Sequence, residues 1–242
     1  MTEYVKLEVR RTLRDPGYVV FGIGMPVLMY LLFTNLGAAD DADGAAWRTS
    51  AMVGMAAYGA LGAATSVGTG VAADKALGWL RQLRVTPLTP RAVVLGRALS
   101  GSVTVLPAIG AVLLAGALVN GVRLAAWQWA ALVGLLWAGA LPFTLLGIGN
   151  GYRLTAQAAG MVNMMALMVL SVIGGLWFPT EVFPGWLRAL AEFTPANRFA
   201  DLGWSTVQGH APGLLTLTVL TGWLLLFGAY AATSYRRSAR TA

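Results

Sequence analysis

The sequence predicts an all-α integral membrane protein with six transmembrane helices. Three observations carry that expectation. Of 242 residues, 57% are apolar and only 11% charged, where a water-soluble domain carries roughly 25% charged residues. The mean hydropathy is +0.66. The charges also collect between six charge-free stretches, Gly17–Leu36, Ser50–Ala73, Ala98–Val122, Leu124–Tyr152, Leu154–Thr180 and Ala211–Tyr235. A span needs about 20 apolar residues to cross a hydrocarbon core about 30 Å thick. It must be helical, because lipid leaves open backbone groups unsatisfied. This composition excludes a soluble enzyme, a disordered tail and a nucleic-acid-binding domain. The absence of cysteine excludes disulfides, thiolate metal sites and thiol catalysis.

The elements follow in order. Residues 1–16 are expected to form an interfacial helix. Val5, Val9 and Leu13 make an apolar stripe every four residues, and Lys6, Arg10 and Arg14 run beside it. Asp15-Pro16-Gly17 breaks that helix and turns the chain into the membrane. No short n-region or small-residue cleavage site accompanies the first apolar run, so the first span is expected to be retained. The spans are placed at 17–36, 51–73, 99–120, 126–149, 155–178 and 212–235.

Loop charge sets the orientation. Lys6, Arg10, Arg11, Arg14, Lys75, Arg81, Arg84, Arg91, Arg97, Arg153, Arg236, Arg237 and Arg240 fall on one side, and only Arg48, Arg123, Arg188 and Arg198 on the other. The positive-inside rule then places both termini in the cytoplasm. The net charge of +7 comes from these loops. The two-lysine, fifteen-arginine bias with abundant Ala, Gly, Leu and Val points to a bacterial source, hence to the plasma (inner) membrane.

Two segments are not simple spans. Residues 74–97 (DKALGWLRQLRVTPLTPRAVVLGR) set Leu77, Leu80 and Leu83 at helical spacing with Arg81 and Arg84 on the wet side, and Thr86-Pro87-Leu88-Thr89-Pro90 ends the helix. Apolar teeth on a basic cytoplasmic loop suit docking against a soluble partner. Residues 179–210 carry Phe183, Pro184, Trp186, Leu187, Leu190 and Phe193, an interruption at Pro195, then Phe199, Leu202 and Trp204. Each half is too short to span and too apolar for a free loop, so an external pair of short re-entrant helices is expected.

These four features, the basic N-terminal helix, six spans with both ends inside, DKALGWLRQLRVTPLTPRAVVLGR and FPTEVFPGWLRALAEFTPANRFADL, together resemble the ABC-2 type transporter permease family over essentially the whole chain. The resemblance implies the membrane subunit of an ATP-driven exporter. It implies a cytoplasmic ABC ATPase in two copies and a second permease subunit, the same or different. It places ATP and Mg in the ATPase, with no cofactor or metal bound by this chain. Carried over by position, Asp74, Lys75 and Gly78 take the opening acidic, basic and glycine places of the coupling segment, Leu80, Leu83 and Arg84 its body, and Thr86, Pro87 and Leu88 its close.

The residues offer no chemistry of their own. Neither Lys6 nor Lys75 sits in a P-loop sequence, and Gly68-Thr-Gly70 and Gly147-Ile-Gly149-Asn-Gly151 lie within apolar stretches, where glycines serve close helix packing. Ala64-Thr65-Ser66-Val67-Gly68 lacks a base nearby, the single histidine being His210. No Asp, Glu, His or Arg lies inside a span, as ion-driven carriers usually require. That weighs against the alternative, a secondary transporter or channel not coupled to ATP. The substrate path is expected along the fifth span, where Met161, Met164, Met165 and Met168 recur at i, i+3, i+4 and i+7 with Asn163 one step around. The resemblance implies that the second span faces the pathway too, where Gly62, Ser66 and Gly70 form a small-residue stripe beside Thr65 and Thr69. Such a lining suits a hydrophobic or amphipathic substrate.

Overall fold

The computed structural model of the protein describes residues 14, 16–35, 42–77, 98 and 101–241. The expected interfacial helix lies almost wholly outside them, and so do Gly78, Leu80, Leu83, Arg84, Thr86, Pro87 and Leu88 of the coupling segment. Every regular element among the described residues is helical. In chain order they are α1 (Tyr18–Asn35), α2 (Ala42–Ala76), α3 (Val103–Leu118), α4 (Ala126–Gly139), α5 (Leu141–Arg153), α6 (Ala156–Ile173), α7 (Gly185–Ala191), α8 (Pro195–Val207) and α9 (Leu214–Thr241). Counting α4 and α5 as one unit, five are long and apolar enough to cross a membrane, and α3 is a shorter apolar helix. The chain is a multi-pass membrane protein.

Proline and glycine set most of the boundaries. In α1 the residues Tyr18–Gly24 are wound as a π-helix, and the Met25 amide donates to the Val20 carbonyl five residues back. Pro26, with no amide to donate, follows at once. The stretch expected as one span over 126–149 is interrupted at Ala140, because Pro142 opens a new helix instead of continuing the old one. The fifth span, expected over 155–178, ends as a helix at Ile173. There Gly175 adopts φ +72° and the Leu176 amide reaches back to the Ser171 carbonyl at 3.0 Å, a glycine-terminated closure that a side chain would strain. Helices α2 and α9 instead run past their apolar cores, since charged residues at a helix end change its solvent and leave its backbone ladder intact.

Helix α2 is the centre of the bundle. Met52, Val53, Ala56, Ala57, Ala60, Leu61 and Ala64 are fully buried. Its alanines and glycines let α1, α3, α5, α6 and α8 pack around it. The two short helices expected within 179–210 are present as α7 and α8. Phe183 and Pro184 lie in the extended turn before α7, Trp186 is exposed on it, and Pro195 starts α8 behind Thr194, whose hydroxyl accepts from the Asn197 amide at 3.3 Å. Helix α8 is inserted among the long helices. Phe199 packs on Phe143 with ring centroids 5.4 Å apart, at the break that Pro142 makes in the fourth stretch. Gly139 there faces Phe199 and Leu202 so closely that a methyl group would not fit. The indole of Trp204 donates to the Ser50 carbonyl (3.1 Å), Asn197 to the Gly174 carbonyl (3.1 Å), and Trp223 of α9 to the Phe193 carbonyl (3.0 Å). These bonds fasten the hairpin to three different long elements.

Candidate functional site: a cavity beside the central helix

Two kinds of contact surround α2, and together they define the site. On one side α2 meets α5 backbone to backbone. A Cβ built on Gly68 would overlap the Gly147 carbonyl, one on Gly147 the Thr65 carbonyl, and one on Gly151 the Gly68 carbonyl. These glycines have the packing role expected of them. The stripe Gly62, Ser66 and Gly70, set beside the expected path, faces a cavity: a Cβ at Gly62 would lie 3.3 Å from Leu167, and nothing lies within 4 Å of one at Gly70. That cavity, about 680 Å³, lies between α1, α2, the start of α3 and α6.

Of the path residues expected from sequence, Ser66, Thr69, Asn163, Met164 and Met168 line this cavity. Met161 and Met165 do not, being 62% and 69% exposed on the outer side of α6. The four methionines span an arc of about 100° at 3.6 residues per turn, and the cavity takes only its Met164–Met168 edge. The first span, given no role from sequence, contributes Tyr18, Phe21 and Met25. Asp74, expected only in the coupling segment, also lines the cavity.

The polar atoms of this wall are ordered. The Ser66 hydroxyl donates to the Ala63 carbonyl (2.7 Å), Thr65 to Leu61 (3.0 Å), Thr104 to Gly101 (2.6 Å), and the Tyr18 phenol to the Thr104 carbonyl (2.5 Å). Behind the wall runs a buried amide chain. Asn163 donates to the Thr65 carbonyl at 2.9 Å, and its oxygen accepts from Asn150 at 2.8 Å. The Asn150 oxygen in turn accepts from the Tyr230 hydroxyl at 2.8 Å. A backbone carbonyl only accepts, so it fixes the turn of the first amide, and that amide fixes the second. Four helices, α2, α6, α5 and α9, are joined in one direction. Arg153 closes the row, its guanidinium 4.8 Å above the Tyr230 ring and its Nε donating to the Ser234 hydroxyl at 2.9 Å. The signal for Asn150, Tyr230 and Ser234 was present in the sequence as polar side chains in apolar stretches, but it carried no partner.

Where α2 ends, Lys75 turns away from the cavity. Its ammonium donates to the Tyr152 (3.0 Å) and Leu154 (2.8 Å) carbonyls, oxygens left without helical partners at the end of α5. The point at which the 74–97 segment leaves α2 is thereby pinned to the turn between α5 and α6.

Comparison with known proteins bears on the same residues. The family model described as "ABC-2 type transporter" matches residues 3–206. A protein of Bacillus subtilis (strain 168) named as a transport permease, YvfS, is 27% identical over 223 residues, which is 91% of this chain and 90% of that one.

Proposed function

The chain belongs to the ABC-2 type transporter family, and from that premise we propose that it is the membrane-spanning subunit of an ATP-binding-cassette exporter carrying a hydrophobic or amphipathic substrate. The observation that carries the reading is the continuity of cavity and coupling segment: Asp74 is at once a wall residue of the cavity and the first residue of DKALGWLRQLRVTPL. A force applied by a cytoplasmic partner at 74–88 therefore reaches the cavity wall through α2, and reaches α5 and α6 through Lys75. Because α2 and α5 interlock through glycine, they move as one body, and alternating access becomes the motion of that body against α6 and α1. Two copies of an ABC ATPase would bind and hydrolyse ATP with Mg, and two permease subunits would complete the transporter. Both termini lie in the cytoplasm of a bacterial cell, and the 179–210 hairpin lies on the outer side. This chain supplies the path and its movement, and the ATPase supplies the chemistry.

The test is to co-express the chain with ABC ATPases from its own source and measure association and ATP-dependent transport in vesicles. Leu80→Asp or Leu83→Asp places a charge among the apolar teeth of the loop. Both substitutions are expected to abolish ATPase stimulation while membrane insertion remains complete. Normal association and stimulation in both variants would overturn the coupling role of residues 74–88.

A further inference from the structure

The cavity differs in electrostatic character from the protein around it. The chain carries a net charge of +7, yet no Lys or Arg occurs among the described residues that line the cavity, and the one charged side chain there is Asp74. Lys75, its neighbour in sequence, is committed to the Tyr152 and Leu154 carbonyls. Four of the cavity's six lining hydroxyls are biased the same way, while those of Thr69 and Tyr58 make no such bond. Ser66, Thr65, Thr104 and Tyr18 each give their proton to a backbone carbonyl. Each of these hydroxyl oxygens thus keeps lone pairs and no proton for a ligand. Rings of Tyr18, Phe21 and Tyr58 stand in the same wall, and an aromatic face attracts cations. Methionine and phenylalanine supply adaptable apolar surface.

We infer that the cavity takes an amphipathic organic cation, a protonated amine on an apolar body, with the ammonium toward Asp74 and the hydroxyl lone pairs and the body against Phe21, Met25, Met164 and Met168. This rests on the reading of the cavity as the substrate path and names the substrate class for it. Asp74 also holds an interaction within the chain. A carboxylate has about four acceptor positions on its two oxygens, so that interaction and a ligand are compatible. An anionic ligand would meet a carboxylate and four hydroxyls already donating elsewhere, with only the protons of Thr69 and Tyr58 to receive. A neutral one would forgo the charge-assisted bond, the stronger kind.

The experiment uses the full-length chain, purified without an ATPase and placed in phosphatidylcholine nanodiscs, with empty discs as the blank. Binding of 1-pyrenemethylamine, cationic at neutral pH, and of 1-pyrenemethanol, its neutral counterpart, is followed by fluorescence anisotropy. The amine is expected to bind about tenfold more tightly than the alcohol, as a hydrogen bond to a charged group provides. Asp74→Asn should remove that preference and leave the alcohol within about twofold of its original affinity, and Asp74→Glu should retain it. Met164→Trp, which fills the cavity, should weaken both probes. Equal binding of the two probes to the unaltered protein overturns the inference, as does an amine affinity indifferent to Asp74→Asn. If Asp74→Asn does not assemble, the ratio on the unaltered protein decides alone. Equal binding that Met164→Trp abolishes would leave the path in place and remove the cation. Failure of both probes to bind, or binding untouched by Met164→Trp, would remove the path as well.

Discussion

Helix α2 has two sides built from the same kind of residue and put to opposite uses. Toward α5 its Gly68 meets Gly147 and Gly151, and the two backbones touch. Toward α6 its Gly62, Ser66 and Gly70 border a cavity of about 680 Å³ together with Met164, Leu167 and Met168, and of the two glycines only Gly62 comes close to a facing side chain, that of Leu167. A small residue therefore does not itself bring helices together; the residue opposite decides. Glycine against glycine gives contact in which nothing can move aside. Glycine against methionine gives space bounded by a pliable side chain. In lipid, where apolar surface gains little by leaving its solvent, close van der Waals packing of the first kind is what holds helices together. The second kind is where a ligand can be accommodated.

The sharpest way to break this contrast is to place the same side chain on each side. Gly147→Leu puts a branched group where its first carbon would already overlap the Thr65 carbonyl, and a backbone atom cannot rotate away. The expected cost is at least about 3 kcal/mol, the upper end for overpacking, seen as loss of the monodisperse peak on size exclusion in detergent. Gly70→Leu projects into open space. It should retain the peak and a melting temperature near that of the unaltered protein. Equal damage from both substitutions would mean that the two sides do not differ as described.

The sequence made one side more legible than the other. The spans were readable because a charge in lipid is costly, so gaps between charges mark helices. The glycine run 147–151 was readable as packing because it could serve no nucleotide. The Gly62–Ser66–Gly70 stripe was legible as one shared face and no further, because periodicity does not report what stands opposite: Leu167 lies close to Gly62, and open space lies beside Gly70. The same limit applied to α6, where the shared face of four methionines proved wider than the cavity. Proline at 142 was visible, but an uninterrupted apolar run masked the break it makes. The amide chain was hidden for a further reason. Asn163 could be singled out, yet its partners Thr65 and Asn150 lie 98 and 13 residues away, and only the packed helices bring them together.

That amide chain is where the open side is still fastened to the closed one, so it offers the second, intermediate perturbation. Asn163 joins α6 both to α2 and to α5. Asn163→Leu leaves the Asn150 amide without its acceptor, and Asn150→Leu leaves the Asn163 oxygen without its donor. Each is expected to cost about 1–2 kcal/mol, within the range for buried hydrogen bonds between membrane helices. The double substitution removes both of these stranded amide groups and loses the Thr65 and Tyr230 contacts only once each, so it should cost less than the two single values added together. Thermal unfolding in one detergent measures all three. Strict additivity would show that the two amides are not coupled.

The smallest effect on stability should come from the cavity face itself, and there function must respond instead. Met164 is about half exposed and Met168 partly buried, and both border empty volume. Truncating them to alanine leaves no cavity that was not already present, so the change in stability should stay within about 0.5 kcal/mol, as for surface positions generally. Transport is a different measure, because the apolar wall then recedes from whatever occupies the path. Met164→Ala with Met168→Ala, compared at equal expression over several amphipathic substrates, should alter the order of preference among them without altering the melting temperature. Unchanged transport of every substrate would show that this face of α6 only packs, and the distinction between the two sides of α2 would then be one of density and not of use.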